Sequence, residues 1–165
     1  MNRIFLVTAL LAGFFAASAP ARAQTMVGDW TVEKREKDTH CNASRGYKDK
    51  EDENRDYGIV LTYSTEKIVI VLIYDGWEWD KTGEILRADF ATDKADIMKK
   101  SKWEVMDKTT LRGVFEFDQK IIDRLTKAKR LSVDFEDDED DSIELETPRA
   151  AEMLAALKFC EENRK

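Results

Sequence analysis

The chain reads as an α+β domain built mainly on antiparallel β-sheet, either sandwich-like or strongly curved, with a short internal helix and a longer C-terminal one. Three observations predict this. Apolar residues recur with period two far more often than with period 3.6. Turn-forming pairs such as Asp75-Gly76 punctuate the apolar runs. One clear amphipathic stripe occupies the last 18 residues or so, a length suited to a single helix.

The first 23 of the 165 residues read as an export signal rather than as part of the domain. Arg3 precedes an apolar run, Ile4–Ala17, that is short for a membrane span, and Ala21-Arg22-Ala23 has the small-x-small form of a cleavage site. Met1–Ala23 is therefore expected to be removed, leaving Gln24–Lys165 as one periplasmic domain, exported and free of any integral membrane segment. The signal stretch holds two of the 27 Lys and Arg residues and none of the 34 acids, which leaves 25 cations against 34 anions and a net charge of −9. That excess disfavours nucleic acid and anionic lipid surfaces as partners, because both require clustered Lys and Arg. A cationic partner is compatible with it.

Trp30 and Val32 alternate with Thr31 and Glu33, so Asp29–Arg35 predicts a half-buried strand. Glu33–Asp56 is densely charged and nearly free of large apolar residues, which predicts a long exposed loop, pinned at Cys41 and mobile over Lys48–Asp56. Gly58–Tyr63 and Lys67–Tyr74 predict a hairpin across Ser64-Thr65-Glu66. Ile68–Ile73 is apolar at every position, as for a central strand covered on both sides. Further strands are expected at Glu84–Phe90, 101–107 and 110–117.

Asp118 is placed to cap a helix near 118–128, with Ile121, Ile122, Leu125 and Ala128 on one face. Leu131–Phe135 and Ile143–Leu145 predict two closing strands joined across the acidic run Glu136–Asp141. The last helix is expected near 148–162, with Thr147 as N-cap and Pro148 as first helical residue. Ala150, Met153, Leu154, Leu157 and Cys160 share its apolar face.

Cys41 and Cys160 are the only two cysteines. In an exported chain an even count reads first as a disulfide. The rival is a metal site using His40, Cys41 and Cys160, but His40 is the only histidine and no paired-ligand spacing accompanies it. A redox-active pair likewise lacks the Cys-x-x-Cys spacing.

Two segments are candidate sites. Trp77-Glu78-Trp79, if extended, places both indoles on one face, where they either pack into a core or offer a platform for a sugar ring or peptide; Trp77 and Trp79 are the ligand-binding candidates. Asp134–Glu146 holds nine carboxylates and no Lys or Arg, reading either as a solvated hairpin loop or as a loose calcium site using Asp137, Asp138, Asp140 and Asp141. The run lacks the spacing and central glycine of an EF-hand. No other cofactor is expected.

Gly28-Asp29-Trp30-Thr31-Val32 soon after a signal peptide, Cys41 shortly afterwards, and the ending Ile143-Glu144-Leu145…Ala151…Leu154…Leu157…Cys160 resemble small exported proteins of alphaproteobacteria, including invasion-associated locus B-like proteins. The likeness covers the two ends and not the middle, and Thr147-Pro148 stands where that family usually has a small residue. The resemblance implies a β-rich periplasmic domain with a disulfide, no established catalytic residues and a role at the cell envelope or in host association. The expected function is thus a non-catalytic envelope binding or interaction module whose partner is an envelope protein or a glycan. A glycan-directed enzyme using a carboxylate pair and an acidic cation-binding module are the alternatives, since a single histidine leaves no ordinary nucleophile–His–acid set.

Overall fold

The alternation in the sequence becomes the two faces of one sheet. In the computed structural model, which describes residues 24–48, 55–135 and 142–164, ten strands are defined. They are β1 (Thr25–Val27), β2 (Trp30–Glu33), β3 (Asn42–Lys48), β4 (Asp56–Tyr63), β5 (Lys67–Tyr74), β6 (Ile85–Thr92), β7 (Ala95–Asp107), β8 (Thr110–Glu116), β9 (Arg130–Phe135) and β10 (Ile143–Glu146). Helix α1 (Gln119–Lys127) precedes β9, and α2 (Ala150–Glu162) ends the fold. The expected export signal lies outside the described residues.

All ten strands belong to a single sheet in the order β1-β2-β3-β4-β5-β8-β7-β6-β9-β10, and each adjacent pair is antiparallel. The architecture is one strongly curled half-barrel, not two stacked sheets. A continuous rung shows how the register fills the concave side: Ala43 lies opposite Leu61, Leu61 opposite Ile70, Ile70 opposite Gly113, and Gly113 opposite Trp103. All five are buried. Phe90, Trp103 and Phe115 pack ring against ring at 5.6–5.8 Å near the middle of this core. The indole N–H of Trp103 donates to Ser101 Oγ, which in turn donates to the Ala88 carbonyl, so these two buried donors are paired.

Four expectations change. The region 33–56 is not one exposed loop, because Asn42–Lys48 forms β3 and pairs with both β2 and β4. The mobile stretch expected over Lys48–Asp56 falls largely on residues 49–54, outside the described residues. β5 is central but covered on one side only: Ile68, Ile70 and Leu72 are buried, Val69 and Val71 are half-buried, and Ile73 is exposed on the convex face. β7 starts six residues earlier than expected, because an irregularity opposite Asp89 interrupts its alternation.

The fourth change concerns α2. Thr147 is buried and its hydroxyl donates to the Ala128 carbonyl, so it does not cap the helix; Arg149, in the left-handed region (φ 57°), is the N-cap residue. Asp118 does cap α1, accepting the Lys120 N–H at 2.8 Å. Gly28 and Asp29 form the tight turn joining β1 to β2, and Gly28 has φ 60°, a conformation L side chains avoid. That turn delivers Trp30 into the core.

Candidate functional site

Trp77 is 1 % exposed and Trp79 is half-buried. The two do sit together, with centroids 5.5 Å apart, but on an irregular segment rather than a strand. The Trp77 N–H donates to the Tyr74 carbonyl and the Trp79 N–H to the Lys108 carbonyl, which folds the segment back over the sheet. Both indoles lie against Phe135 at the end of β9. The pair is therefore no open platform, and Trp77 is a core residue.

The pair is instead the deep end of a longer aromatic series. Tyr74 meets Trp77 edge-on at 5.8 Å, Tyr57 meets Tyr74 edge-on at 6.3 Å, and Tyr47 stacks on Tyr57 at 4.8 Å. Tyr47 and Tyr57 are register partners on β3 and β4, directly flanking the 49–54 connection. Close approach at Gly76 sets the position of Tyr74: a Cβ there would lie 2.4–2.7 Å from the tyrosine ring. Tyr47, Tyr57, Tyr74 and Trp79 are each half-buried, so the series combines a buried anchor at Trp77 with partly exposed aromatic residues.

Arg45 borders this series. Its guanidinium lies 4.5 Å from the Tyr47 ring centroid and donates to Asp29 Oδ2 and to the Glu146 carbonyl, each at 3.3 Å. The Tyr47 hydroxyl donates to the same carbonyl. Burial pushes the Tyr47 phenol up to about 12, further than Arg45 pulls it down.

The sequence segments that connect the strands here are strongly charged. Residues 49–54 contain four carboxylates and one lysine, and 136–141 contain six carboxylates, a combined −9 against −7 for the whole chain. They join β3 to β4 and β9 to β10, and Tyr47, Tyr57 and Phe135 lie beside their ends. Asp137, Asp138, Asp140 and Asp141 fall outside the described residues. Among the described residues, no group of three or more His, Cys, Asp or Glu side chains is placed to hold a metal ion.

Cys41 and Cys160 are joined as a disulfide, Cα–Cα 6.1 Å, which removes both thiolates from the rival metal reading. Beside it, the Glu161 carboxylate takes three contacts: His40 Nδ1 at 2.7 Å, the Cys41 N–H at 3.0 Å and Arg164 Nε at 3.0 Å. Burial pushes the Glu161 pKa up, but the His40 hydrogen bond, the Cys41 amide and the neighbouring positive charges together hold it below the usual value. The described carboxyl groups with a shift, Asp93, Asp107, Glu152 and Glu161, are all lowered, the opposite of what a general acid for glycan cleavage requires.

Arg45, Tyr47, Tyr57, Tyr74 and Phe135 were not singled out by the sequence patterns. The available signal was local: a hairpin centred on the charged 49–54 segment puts Tyr47 opposite Tyr57. Comparison of the chain with protein families, with characterised proteins and with solved structures returns no match.

Proposed function

We propose that this protein is a non-catalytic binding module of the bacterial cell envelope, exported to the periplasm, and that it engages a cationic segment of another envelope protein at its aromatic end. The observation that carries the reading is the partly exposed aromatic series Tyr47–Tyr57–Tyr74–Trp77–Trp79, whose members Tyr47 and Tyr57 flank the acidic segment 49–54 in sequence and whose neighbour Phe135 immediately precedes the acidic segment 136–141. Aromatic faces attract Lys and Arg side chains by about 0.5–2 kcal/mol per contact, depending on desolvation. Clustered negative charge in a chain attracts cationic partners and raises association rates. The export reading rests on the signal-like leader and the disulfide.

The test uses protein purified from the periplasm of an expressing host, titrated with a short arginine-rich peptide and separately with soluble peptidoglycan fragments while tryptophan fluorescence is followed. A peptide response that fades with salt and is lost in Trp79→Ala, with the fold intact by circular dichroism, supports the reading. A response to the sugar alone replaces it with a glycan-binding module. A response to neither overturns it.

A further inference from the structure

Helix α2 is apolar on two sides. Ala150, Met153, Leu154 and Leu157 are buried where it packs on β1, β2, β3 and α1. On the opposite side Ala151, Ala155 and Phe159 recur every four residues, so they line up along the helix, and all three are exposed. Phe159, at 68 % exposure, is the most exposed large apolar side chain among the described residues. Helix α1 shows what a solvent face ordinarily carries: Lys120, Asp123, Arg124 and Lys127. A helix with a second apolar stripe calls for a second cover.

The charges beside this stripe decide what the cover is. Arg149 pairs with Glu152 at the start of the helix and Lys158 with Glu162 near its end, and all four side chains are more than half exposed. A two-fold axis beside Ala155 sets a second α2 antiparallel to the first, so that each residue lies level with the one equally far from Ala155 on the other side. Ala155 then meets Ala155, Phe159 lies level with Ala151, and Lys158 level with Glu152. Glu162 comes level with Pro148, one residue from Arg149. Opposite charges therefore meet at both ends of the contact. The small side chains at 151 and 155 leave a hollow for the Phe159 ring, a knob and hole that the symmetry supplies twice.

We propose that the outer face of α2 is the contact surface of a reversible two-fold homodimer, with Phe159 of each copy seated between Ala151 and Ala155 of the other. The partner is a second copy because the face is complementary to itself in both shape and charge. A single helix of 13 residues offers an area at the low end of specific interfaces, so the dimer is weak and exchanges readily. The net negative charge of the chain opposes association at long range, and physiological salt screens that repulsion beyond about 8 Å while leaving the close pairs. Phe159 also borders an open cleft of about 410 Å³ beside the Cys41–Cys160 disulfide, which makes a small apolar ligand the competing occupant. The surface uses no residue of the aromatic series and stands apart from the function proposed above.

Sedimentation velocity of the periplasmic protein at physiological salt, from about 5 to 500 µM, covers the range in which small interfaces dissociate. The parent should move from monomer toward dimer across it. Phe159→Gln and Ala155→Glu should each weaken association by about tenfold or more, with circular dichroism and melting close to the parent because both positions are exposed. Glu152→Lys should weaken it as well, and adding Lys158→Glu should restore it. That rescue is decisive: the two-fold axis pairs these positions, whereas within one chain they pair with Arg149 and Glu162. A monomer at every concentration, a dimer indifferent to Phe159→Gln, or a double variant that stays monomeric would each overturn the assignment. Binding of anilinonaphthalene sulfonate by such a monomer, lost in Phe159→Gln, would give the patch to a small apolar ligand instead.

Discussion

The indole N–H of Trp30 donates to the backbone carbonyl of Pro148 at 2.9 Å, linking residues 118 positions apart. β1 and β10 are the two ends of the sheet and share no ladder, so the curled sheet is fastened by side chains reaching across to backbone. Arg45 and Tyr47 on β3 make the same kind of bridge, both to the Glu146 carbonyl. Three donors from the N-terminal third thus hold the junction between β10 and α2.

Trp30→Phe keeps most of the buried ring and removes the donor. Leaving a half-buried carbonyl unpaired should lower stability by about 1–3 kcal/mol, whereas Trp30→Ala adds a cavity and should lower it by about 3–5 kcal/mol. Urea unfolding monitored by circular dichroism separates the two.

Replacing either Cys41 or Cys160 with Ser should lower stability by about 2–5 kcal/mol, because the disulfide spans 119 residues and its loss frees a long loop in the unfolded chain. Intact mass without reductant, before and after alkylation, checks the bond itself. Two alkylatable thiols in periplasmic protein would refute it.

Glu161 makes the α2 attachment acid-sensitive. Its pKa is lower folded than unfolded, so its contribution is present above the ordinary glutamate range and disappears as pH falls through the folded value. The melting temperature of the parent should therefore drop more steeply below that range than that of Glu161→Gln, which lacks the group. Parallel melting curves across the acid range would sink the assignment.

Tyr47 and Tyr63 are both raised to about 12, chiefly by burial. The sign is opposite to that of Glu161: a raised folded pKa means that stability is complete below the ordinary tyrosine value and is lost as pH climbs from there through about 12. Ultraviolet absorbance should show part of the phenolate signal titrating near 12, and Tyr47→Phe should remove part of that late phase.

Gly76→Ala tests how the aromatic series is held. The added methyl would collide with the Tyr74 ring, so the ring must move. Near-ultraviolet circular dichroism should change strongly while the far-ultraviolet spectrum stays close to that of the parent.

β8 and β9 were legible from their alternation, and β4 and β5 from their runs of large apolar residues, although the unbroken run of β5 hid which of its faces is covered. β3 was not, since its inward positions carry Ala43, Arg45 and Tyr47, a pattern without hydrophobic contrast. Its strand character comes from neighbours on both sides. Thr147 illustrates the same limit at a helix start: its residue type suits an N-cap, but the Ala128 carbonyl takes its hydroxyl.

Local chemistry by itself determined the α+β class, the cap of α1, the positions of most elements, and the choice of disulfide partners, since two cysteines permit one intramolecular pair. Only the tertiary structure decided which faces are covered and which groups meet. Period-two alternation specifies two sides of a strand but not how far the sheet curls. Curling brought Trp30 to Pro148, gathered Tyr47, Tyr57, Tyr74, Trp77, Trp79 and Phe135 from separate parts of the chain, and left Val114 on the outside. These contacts depend on register and curvature summed over ten strands, which no local window of residues contains.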